Sequence, residues 1–307
     1  MTKVLLATDK PFAKQAVTQI KAIADQAGYD LALLEKYTEK SDLLNAVATA
    51  DAMIIRSDIV DNEVLDAAKQ LKIVVRAGAG YDNIDLESAT AHNVVAMNTP
   101  GQNSNAVAEL AIGMMVFQAR GQFNGKSGSE LFGKKLGIHA YGNVGRRVAM
   151  IAKGFGMEIF AFDPYIPREV IEADGVNWVG SVEELYSASN YISLHIPATA
   201  ETKNSINFDL LTRMLAPATL VNTARKEVVN EADLLKVFEI RPDFVYISDI
   251  EPGCSAEIKE KFTGRFFFTP KKMGAQTEEA NVNAGLAAIR QIVDFFEKGN
   301  KRFQVNK

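Results

Sequence analysis

Short apolar runs of β-forming residues alternate with helix-length segments along the whole chain of 307 residues. Most of these runs are continuously apolar, which is typical of parallel strands that helices cover on both faces. The predicted strands cover residues 4–8, 31–34, 52–55, 73–75, 94–97, 135–139, 158–162, 191–194, 219–222 and 244–247. We therefore predict the α/β class, with two doubly wound parallel-sheet, Rossmann-like domains.

Two helical segments interrupt this alternation and predict how the domains are connected. Residues 104–120 are apolar on nearly every side, whereas residues 281–298 form an amphipathic pattern that returns the chain at its end. We interpret both as crossings between domains. The first domain is then discontinuous, 1–97 plus 283–307, and the second is inserted as 98–282. A single sheet of ten strands is the alternative, which the chain length disfavours.

Composition excludes several classes of function. The net charge is 34 − 38 = −4 with no basic block, which argues against nucleic-acid and membrane-surface partners. One cysteine, Cys254, and three histidines predict neither a disulfide nor a metal site. The N-terminus lacks the apolar block of a signal peptide, and Glu109 interrupts the most apolar segment, 106–117. We expect a cytoplasmic protein.

A glycine-containing turn after the sixth predicted strand indicates a dinucleotide site. Gly142 allows the backbone to approach a pyrophosphate, and Gly145 lets the following helix pack closely on the strand. The pattern is A-x-G-x-x-G because Ala140 replaces the first glycine. The next strand ends at Asp163, the expected distance for a carboxylate that binds the ribose diol and repels a 2′-phosphate. This predicts NAD; the alternative is a plain turn with a solvated aspartate.

Characteristic blocks of residues are spread over nearly the whole chain. They are Ile-Ile-Arg-Ser at 54–57, residues 75–85, Asn-Thr-Pro-Gly-Gln-Asn-Ser at 98–104, Ala-Glu-Leu at 108–110, the glycine turn, His-Ile-Pro at 195–197, Asn-Thr-Ala-Arg at 222–225, Asp249 and Thr-Pro at 269–270. In this order they resemble the D-isomer-specific 2-hydroxyacid dehydrogenase family. The resemblance implies a homodimer, a substrate-binding, flavodoxin-like domain built from both chain ends, and hydride transfer between NAD and C2 of a hydroxy acid.

The resemblance also implies cofactor contacts beyond the glycine turn. The full predicted set is Gly142, Asn143, Val144, Gly145, Asp163, His195, Ile196, Thr223, Ala224, Asp249 and Gly274. Asp249 matches the family aspartate that faces the nicotinamide amide.

Arg225 is the predicted cation for the substrate carboxylate and carbonyl oxygen. It follows a buried strand, and its planar guanidinium suits bidentate binding of a carboxylate. It also matches the family's catalytic arginine. The alternative is an arginine at a helix start paired with Glu227 or Glu231.

Small residues and two arginines at strand ends predict the rest of the substrate site. Ala77 and Gly78, with the two small residues after them, leave backbone N–H groups to hold a carboxylate. Arg56 and Arg76 end neighbouring parallel strands, where ligands of such sheets bind. By resemblance they bind a substrate phosphate, with Asn103 helping. A plain turn and surface arginines are the alternatives.

Two adjacent lysines follow three phenylalanines, 266–268, that predict the end of a buried strand. The family's histidine belongs after the Thr-Pro pair, and alignment of the following small residues puts Lys272 in that position. Lys271 is then an extra, solvated residue. Lys272 either accepts a proton through a lowered pKa or stays protonated and serves as the acid in the reductive direction. A solvated surface lysine is the alternative.

Glu251 is a further catalytic candidate. The family has a glutamate that orients its histidine, and Glu251 precedes a proline as that glutamate does, but in a segment three residues shorter. It is either a displaced equivalent or a solvated turn residue.

The resemblance is strongest to the branch that oxidises D-3-phosphoglycerate to 3-phosphohydroxypyruvate in serine synthesis, and this is the predicted function. One alternative is a hydroxypyruvate, glyoxylate or D-lactate type reductase on the same scaffold. The other is an NAD-sensing binding protein whose catalytic machinery has decayed, which the missing histidine motivates.

Overall fold

The computed structural model describes residues 1–306, which form two compact units. The first unit contains Met1–Asn103 and Gln276–Lys307, and the second is Ser104–Ala275. The predicted domain boundaries lie at 97/98 and 282/283, whereas the structure divides the chain at 103/104 and 275/276. The shift has a simple cause at the second boundary, because Thr277 caps the last helix and that whole helix packs within the first unit.

The strands and helices of the described residues follow one another in the predicted alternation. The strands are β1 (Lys3–Thr8), β2 (Asp30–Glu35), β3 (Ala52–Ile55), β4 (Ile73–Arg76), β5 (Val95–Asn98), β6 (Lys135–His139), β7 (Glu158–Phe162), β8 (Asn177–Trp178), β9 (Tyr191–Leu194), β10 (Thr219–Asn222), β11 (Val245–Ser248) and β12 (Phe266–Phe268). The helices are α1 (Lys14–Gln26), α2 (Lys40–Val47), α3 (Asn62–Ala67), α4 (Leu86–Ala91), α5 (Ser104–Ala119), α6 (Asn143–Gly154), α7 (Arg168–Ala173), α8 (Val182–Ser187), α9 (Phe208–Arg213), α10 (Glu231–Ile240), α11 (Ser255–Lys261) and α12 (Glu278–Lys298).

The first unit is built on a five-stranded parallel sheet in the order β2-β1-β3-β4-β5. Alternate residues of β1 enter different cores: Val4 and Leu6 pack on the α1 and α12 side, and Leu5 and Ala7 on the other. A Cβ on Gly285 would lie 2.9 Å from Cδ1 of Ile20, so α12 packs closely on α1 at that glycine. The sheet is therefore covered on both faces, which explains its continuously apolar strands.

The second unit is built on a seven-stranded parallel sheet in the order β12-β11-β10-β9-β6-β7-β8. Leu220 and Val221 of β10 belong to the cores on opposite faces of this sheet. Helix α5 packs against α6 and against β10, β11 and β12. The prediction of two α/β domains with parallel sheets is confirmed. Within residues 1–306, no helix combines the length and apolar character required to cross a bilayer.

Candidate active site

The chain turns sharply between β6 and α6. Ala140 has a positive φ of 77°, and a Cβ on Gly145 would collide with the carbonyl oxygen of Ala140. Gly142 is the N-cap of α6, and a Cβ there would meet no protein atom within 4 Å. Gly145 is therefore required by protein packing, whereas Gly142 leaves open space beside the helix start. The first N–H groups of a helix, here from Asn143 and Val144, suit an anion such as a pyrophosphate.

Asp163 follows β7 and lies against the same turn. Its Oδ2 accepts a hydrogen bond from the backbone N–H of Tyr141 at 2.7 Å, and its Oδ1 accepts one from the N–H of Tyr165 at 2.8 Å. A carboxylate offers about four acceptor positions, so acceptor capacity remains after these two bonds. The structure thus brings the predicted ribose-binding carboxylate to the glycine turn in a fixed orientation.

His195 and Ile196 follow β9. His195 donates its backbone N–H to the carbonyl of His139 at 2.9 Å, and its Nε2 lies 2.9 Å from Oγ of Ser193. Burial lowers the pKa of His195 to about 3, with His139 adding to the shift, and burial lowers the pKa of His139 to about 4. Both imidazoles are therefore neutral near pH 7, and neither supplies a cation to this edge of the sheet.

Asn222, at the end of β10, shapes the turn that carries Arg225. Its Oδ1 accepts from the N–H of Ala224 at 2.9 Å, and its Nδ2 donates to the carbonyl of Arg225 at 3.0 Å. Arg225 in turn donates from Nη1 to the carbonyl of Ala224 at 3.0 Å. Sequence reasoning did not assign Asn222 a role, although an asparagine that bonds its own backbone two residues on is a known turn former.

The hydroxyl of Thr223 is buried and finds no hydrogen-bond partner among residues 1–306. A buried polar atom is nearly always paired, so this hydroxyl points to a group supplied by a ligand. The open space at Gly142 and the remaining acceptor capacity of Asp163 agree with that reading. The residues at the carboxyl edge of this sheet therefore fit a dinucleotide.

Lys272 extends from the loop after β12 to the ends of β10 and β11. Its Nζ donates to the carbonyl of Ala224 at 2.8 Å, to Oδ1 of Asp249 at 3.0 Å and to the carbonyl of Thr223 at 3.3 Å. Its side chain is 39% exposed, whereas Lys271 lies on the surface. The structure thus distinguishes the two lysines, and only Lys272 reaches the predicted site.

Asp249 is fully buried at the end of β11 and holds the Lys272 loop at two points. Besides contacting Lys272, it accepts from the N–H of Gly274 through Oδ2 at 3.0 Å. A Cβ on Gly274 would lie 2.9 Å from that oxygen, so this approach requires glycine. Burial lowers the pKa of Lys272, and Arg225 lowers it further, while Asp249 opposes both effects.

Glu251 lies apart from this cluster. Its carboxylate accepts from Nζ of Lys259 at 2.6 Å and from the hydroxyl of Ser255 at 3.2 Å. Of the two alternatives that the sequence left for Glu251, the displaced equivalent of the orienting glutamate disagrees with these contacts, because the short segment after Asp249 directs Glu251 toward α11. Lys272 meets the carboxylate of Asp249 instead.

In the first unit, Arg56 and Arg76 lie at the carboxyl ends of β3 and β4. Arg56 donates to the carbonyls of Lys10 and Pro11 at 3.0 and 3.2 Å and to Oδ1 of Asn281 at 2.6 Å. Arg76 donates from Nε to the carbonyl of Arg56 at 3.0 Å. The two predicted phosphate ligands are thus neighbours, and Arg56 is held in place by three hydrogen bonds.

The predicted carboxylate-binding turn differs in detail. Ala77 donates its N–H to the carbonyl of Ile55 at 2.8 Å, and Gly78 donates to the carbonyl of Arg76 at 2.9 Å. These two N–H groups are therefore engaged within the protein, which corrects the prediction for them. The N–H groups of Ala79 and Gly80 meet no acceptor in the described part of the chain.

Asn103, the remaining predicted substrate ligand, is half-buried and ends the N-terminal segment of the first unit.

Comparisons with known proteins identify the family to which this chain is similar. Residues 107–251 match the family model described as the NAD-binding domain of D-isomer specific 2-hydroxyacid dehydrogenases. A hydroxypyruvate reductase of Thermotoga maritima is 34% identical over 86% of this chain and 90% of its own length. The NAD⁺-bound structure of 3-phosphoglycerate dehydrogenase from Entamoeba histolytica is 47% identical with a TM-score of 0.89, covering 100% of this chain and 99% of that one.

A D-3-phosphoglycerate dehydrogenase of Methanocaldococcus jannaschii is 36% identical over 82% of this chain. The chain spans about half of that relative's length, 51%. The matches extend over both units and include the glycine turn. The chain therefore belongs to the D-isomer specific 2-hydroxyacid dehydrogenase family and contains its NAD-binding domain.

Proposed function

We propose that this protein oxidises D-3-phosphoglycerate to 3-phosphohydroxypyruvate with NAD, using Lys272 as the acid/base and Arg225 to orient the substrate. The observation that carries the proposal is the position of the Lys272 amine, half-buried at the ends of β10 and β11 beside the Arg225 turn. The similarity to 3-phosphoglycerate dehydrogenases of two other organisms supports the choice of substrate.

The chemistry requires one proton and one hydride to leave the substrate. A bound NAD would supply the hydride acceptor for C2, and the C2–O bond would then become a carbonyl. Neutral Lys272 takes the hydroxyl proton and becomes an ammonium, which later releases it to solvent. In the reductive direction the ammonium returns that proton to the carbonyl oxygen. Arg225 binds the carboxylate in the bidentate manner of guanidinium groups and stabilises charge on the reacting oxygen.

The cofactor is held by the chain's own residues on both sides of the glycine turn. The N–H groups of Asn143 and Val144 would bind the pyrophosphate, and Asp163 would accept hydrogen bonds from the ribose diol. Near the reacting end, the unpaired hydroxyl of Thr223 supplies a polar contact.

Arg56 and Arg76 bind the substrate phosphate in this proposal. Arg56 is already fixed by three hydrogen bonds, so it loses little side-chain entropy when it binds an anion. The backbone N–H groups of Ala79 and Gly80 bind the carboxylate, in place of those of Ala77 and Gly78. The product is then the keto acid that a transamination converts toward serine.

The protein forms a homodimer in this proposal, and exposed aromatic side chains of the second unit support it. Phe123 is 67% exposed, Phe132 is 74% exposed and Phe155 is 42% exposed. Phe132 and Phe155 also line a surface cavity of about 200 Å³ next to the end of α5. Exposed apolar side chains beside a cavity, as Phe132 and Phe155 are, mark interaction surfaces.

A steady-state assay of NADH production distinguishes this function from its alternatives. We expect D-3-phosphoglycerate to be oxidised with a kcat/KM at least about 10²-fold above D-glycerate and D-lactate, because a desolvated phosphate–arginine pair contributes several kcal/mol.

A reductase of hydroxypyruvate is the second candidate, favoured by the Thermotoga maritima relative. Equal rates with phosphorylated and unphosphorylated acids would favour that candidate. If the protein binds NAD but turns over none of these acids at neutral or alkaline pH, the result would favour an NAD-sensing protein.

A further inference from the structure

The amine of Lys272 is surrounded by hydrogen-bond acceptors. Its three partners are the carboxylate of Asp249 and the carbonyls of Thr223 and Ala224. None of these groups can donate a hydrogen bond, so three separate hydrogen bonds here use three N–H groups on Nζ. A neutral amine has two N–H groups and an ammonium has three. The arrangement of acceptors therefore matches the protonated form of Lys272.

Only one of the three acceptors carries a charge. Asp249 is completely buried, and it is held by the N–H of Gly274 on the oxygen that does not face Lys272. Both carboxylate oxygens thus have fixed roles, one to anchor the carboxylate and one to receive the amine. A buried carboxylate that lost its cation would be left uncompensated, which is strongly destabilising.

From this geometry we propose that Asp249 is the positioning residue of Lys272: it orients the amine and favours its protonated state, so that the pair replaces a histidine–glutamate pair. The inference rests on the proposed function, in which Lys272 moves the proton. The sequence offered Glu251 as a candidate for the orienting carboxylate, with a solvated turn residue as the alternative, whereas the contact with Lys272 is made by Asp249.

The contact distances indicate where a substrate oxygen enters. The bond from Lys272 to the carbonyl of Thr223 is the longest of the three at 3.3 Å, and the carbonyl of Ala224 and the carboxylate of Asp249 lie closer. The substrate hydroxyl replaces the Thr223 carbonyl as the third partner. Asp249 and the Ala224 carbonyl then keep the amine in place during proton transfer.

The charged groups that act on Lys272 oppose one another. Burial of the side chain and the nearby Arg225 lower the pKa of Lys272, whereas Asp249 and Glu227 raise it. Asp249 makes a direct hydrogen bond, so it is the main group that opposes deprotonation. Removing its charge should therefore lower the pKa of Lys272 further.

The test compares the wild type with Asp249→Asn and Asp249→Ser, each of which removes the charge and leaves a polar group. In the oxidative direction, kcat/KM rises with pH as Lys272 becomes neutral. We expect the rising part of the profile of kcat/KM against pH to move to lower pH by at least about one unit in both variants. This is the size expected for loss of a contacting opposite charge. Asp249→Glu keeps the charge, so its kcat/KM should rise at nearly the same pH as in the wild type.

A second measurement follows the titration of Lys272 without any turnover. Trace acetic anhydride acetylates only neutral amines, and mass spectrometry of the Lys272 peptide over a pH series gives its titration curve. We expect the same downward shift in Asp249→Asn and Asp249→Ser by this method. Because no substrate is needed, the result still tests the role of Asp249 even if D-3-phosphoglycerate proves not to be the substrate.

Asp243→Asn is the matched control, because Asp243 belongs to the same unit and pairs with Arg241 at 2.6 Å. It should leave both titrations unchanged. Circular dichroism establishes that each variant is folded. If Asp249→Asn does not fold, the comparison is made with Asp249→Ser alone. The proposal is overturned if both titrations stay at the wild-type position in the Asp249 variants. It is equally overturned if Glu251→Gln moves them and the Asp249 variants do not.

Discussion

The guanidinium of Arg56 donates a 2.6 Å hydrogen bond to the side-chain oxygen of Asn281, which lies 225 positions later in the chain. The first residue follows β3 and the second belongs to α12, so the C-terminal helix helps to fix a predicted phosphate ligand. Sequence reasoning could not have paired the two, because nothing in the local pattern around Asn281 indicates a partner near residue 56.

We predict that Asn281→Ala raises the KM for D-3-phosphoglycerate about 2- to 10-fold with little change in kcat, since one hydrogen bond is worth about 0.5–1.5 kcal/mol. Steady-state kinetics measure both constants. Asn62→Ala is the control, because the side chain of Asn62 in the same unit bonds the exposed Asp66 at 2.7 Å. An equal change in KM for both variants would show that Asn281 does not act through Arg56.

We predict that Lys272→Ala lowers kcat by at least about 10²-fold, the usual contribution of a general acid/base. Lys271→Ala should change kcat less than twofold, because Lys271 is exposed and Lys272 reaches Asp249. Equal, small effects of the two substitutions would contradict the assignment of Lys272.

We predict a different pH dependence for Lys272→His. The pKa of Lys272 is lowered from 10.5 mainly by burial, but a histidine begins from about 6.5. Oxidation needs the neutral base, so its rate rises as the pH passes the pKa of that base. The rising limb of kcat/KM should therefore lie at lower pH in Lys272→His than in the wild type. If kcat/KM rose at the same pH in Lys272→His and in the wild type, a group other than residue 272 would determine the pH dependence.

Two glycine substitutions should separate packing from ligand binding. Gly145→Ala places a Cβ against the carbonyl of Ala140 and 3.0 Å from Cγ2 of Ile138, so we expect a loss of about 1–3 kcal/mol in the free energy of unfolding. Gly142→Ala meets no protein atom and should change that free energy by less than about 0.5 kcal/mol. It should still weaken NAD binding at least about 10-fold. Urea unfolding and calorimetric titration with NAD measure the two effects.

Two partly buried histidines, His139 and His195, should make stability fall in acid. Burial lowers the pKa of His139 to about 4 and that of His195 to about 3, against about 6.5 in the unfolded chain. Below pH 6.5 the unfolded state binds protons that the folded state excludes, so stability is present above 6.5 and is lost as the pH falls toward 4. Each group contributes up to about 1.4 kcal/mol per pH unit in that window.

His139→Phe should therefore flatten the dependence of the free energy of unfolding on pH between 6 and 4.5. His92→Asn should act in the opposite direction, because Asp66 raises the pKa of His92 and its stabilisation is present at low pH. Urea unfolding at several pH values measures both. The same slope in His139→Phe as in the wild type would contradict the prediction.

The sequence predicted the sheets well because buried parallel strands leave continuous apolar runs. All ten predicted strands occur, and the run of phenylalanines at 266–268 forms β12. Strand β8, Asn177–Trp178, has two residues, which is too short for any hydrophobic pattern.

The site was predicted less completely, because hydrogen bonds between distant segments leave no trace in local sequence. The small residues at Ala77 and Gly78 indicated a turn, but not that their N–H groups bond Ile55 and Arg76. In the same way, Glu251 matched the family pattern by its neighbouring proline, whereas the contact with Lys272 belongs to Asp249. Residue type and spacing predicted which loops meet; they did not predict which carboxylate faces the amine.

Helix α12 has a consequence for the order in which the protein matures on the ribosome. Ala284, Leu286 and Ile289 of this helix complete the core against β1, β3 and β4, and Asn306 bonds the backbone of Val94 and Ala96 beside β5. The first five strands are synthesised long before these partners emerge. The inserted unit, whose elements are contiguous, can be completed before α12 is synthesised. One apolar face of the first sheet therefore stays uncovered until α12 has emerged from the ribosome.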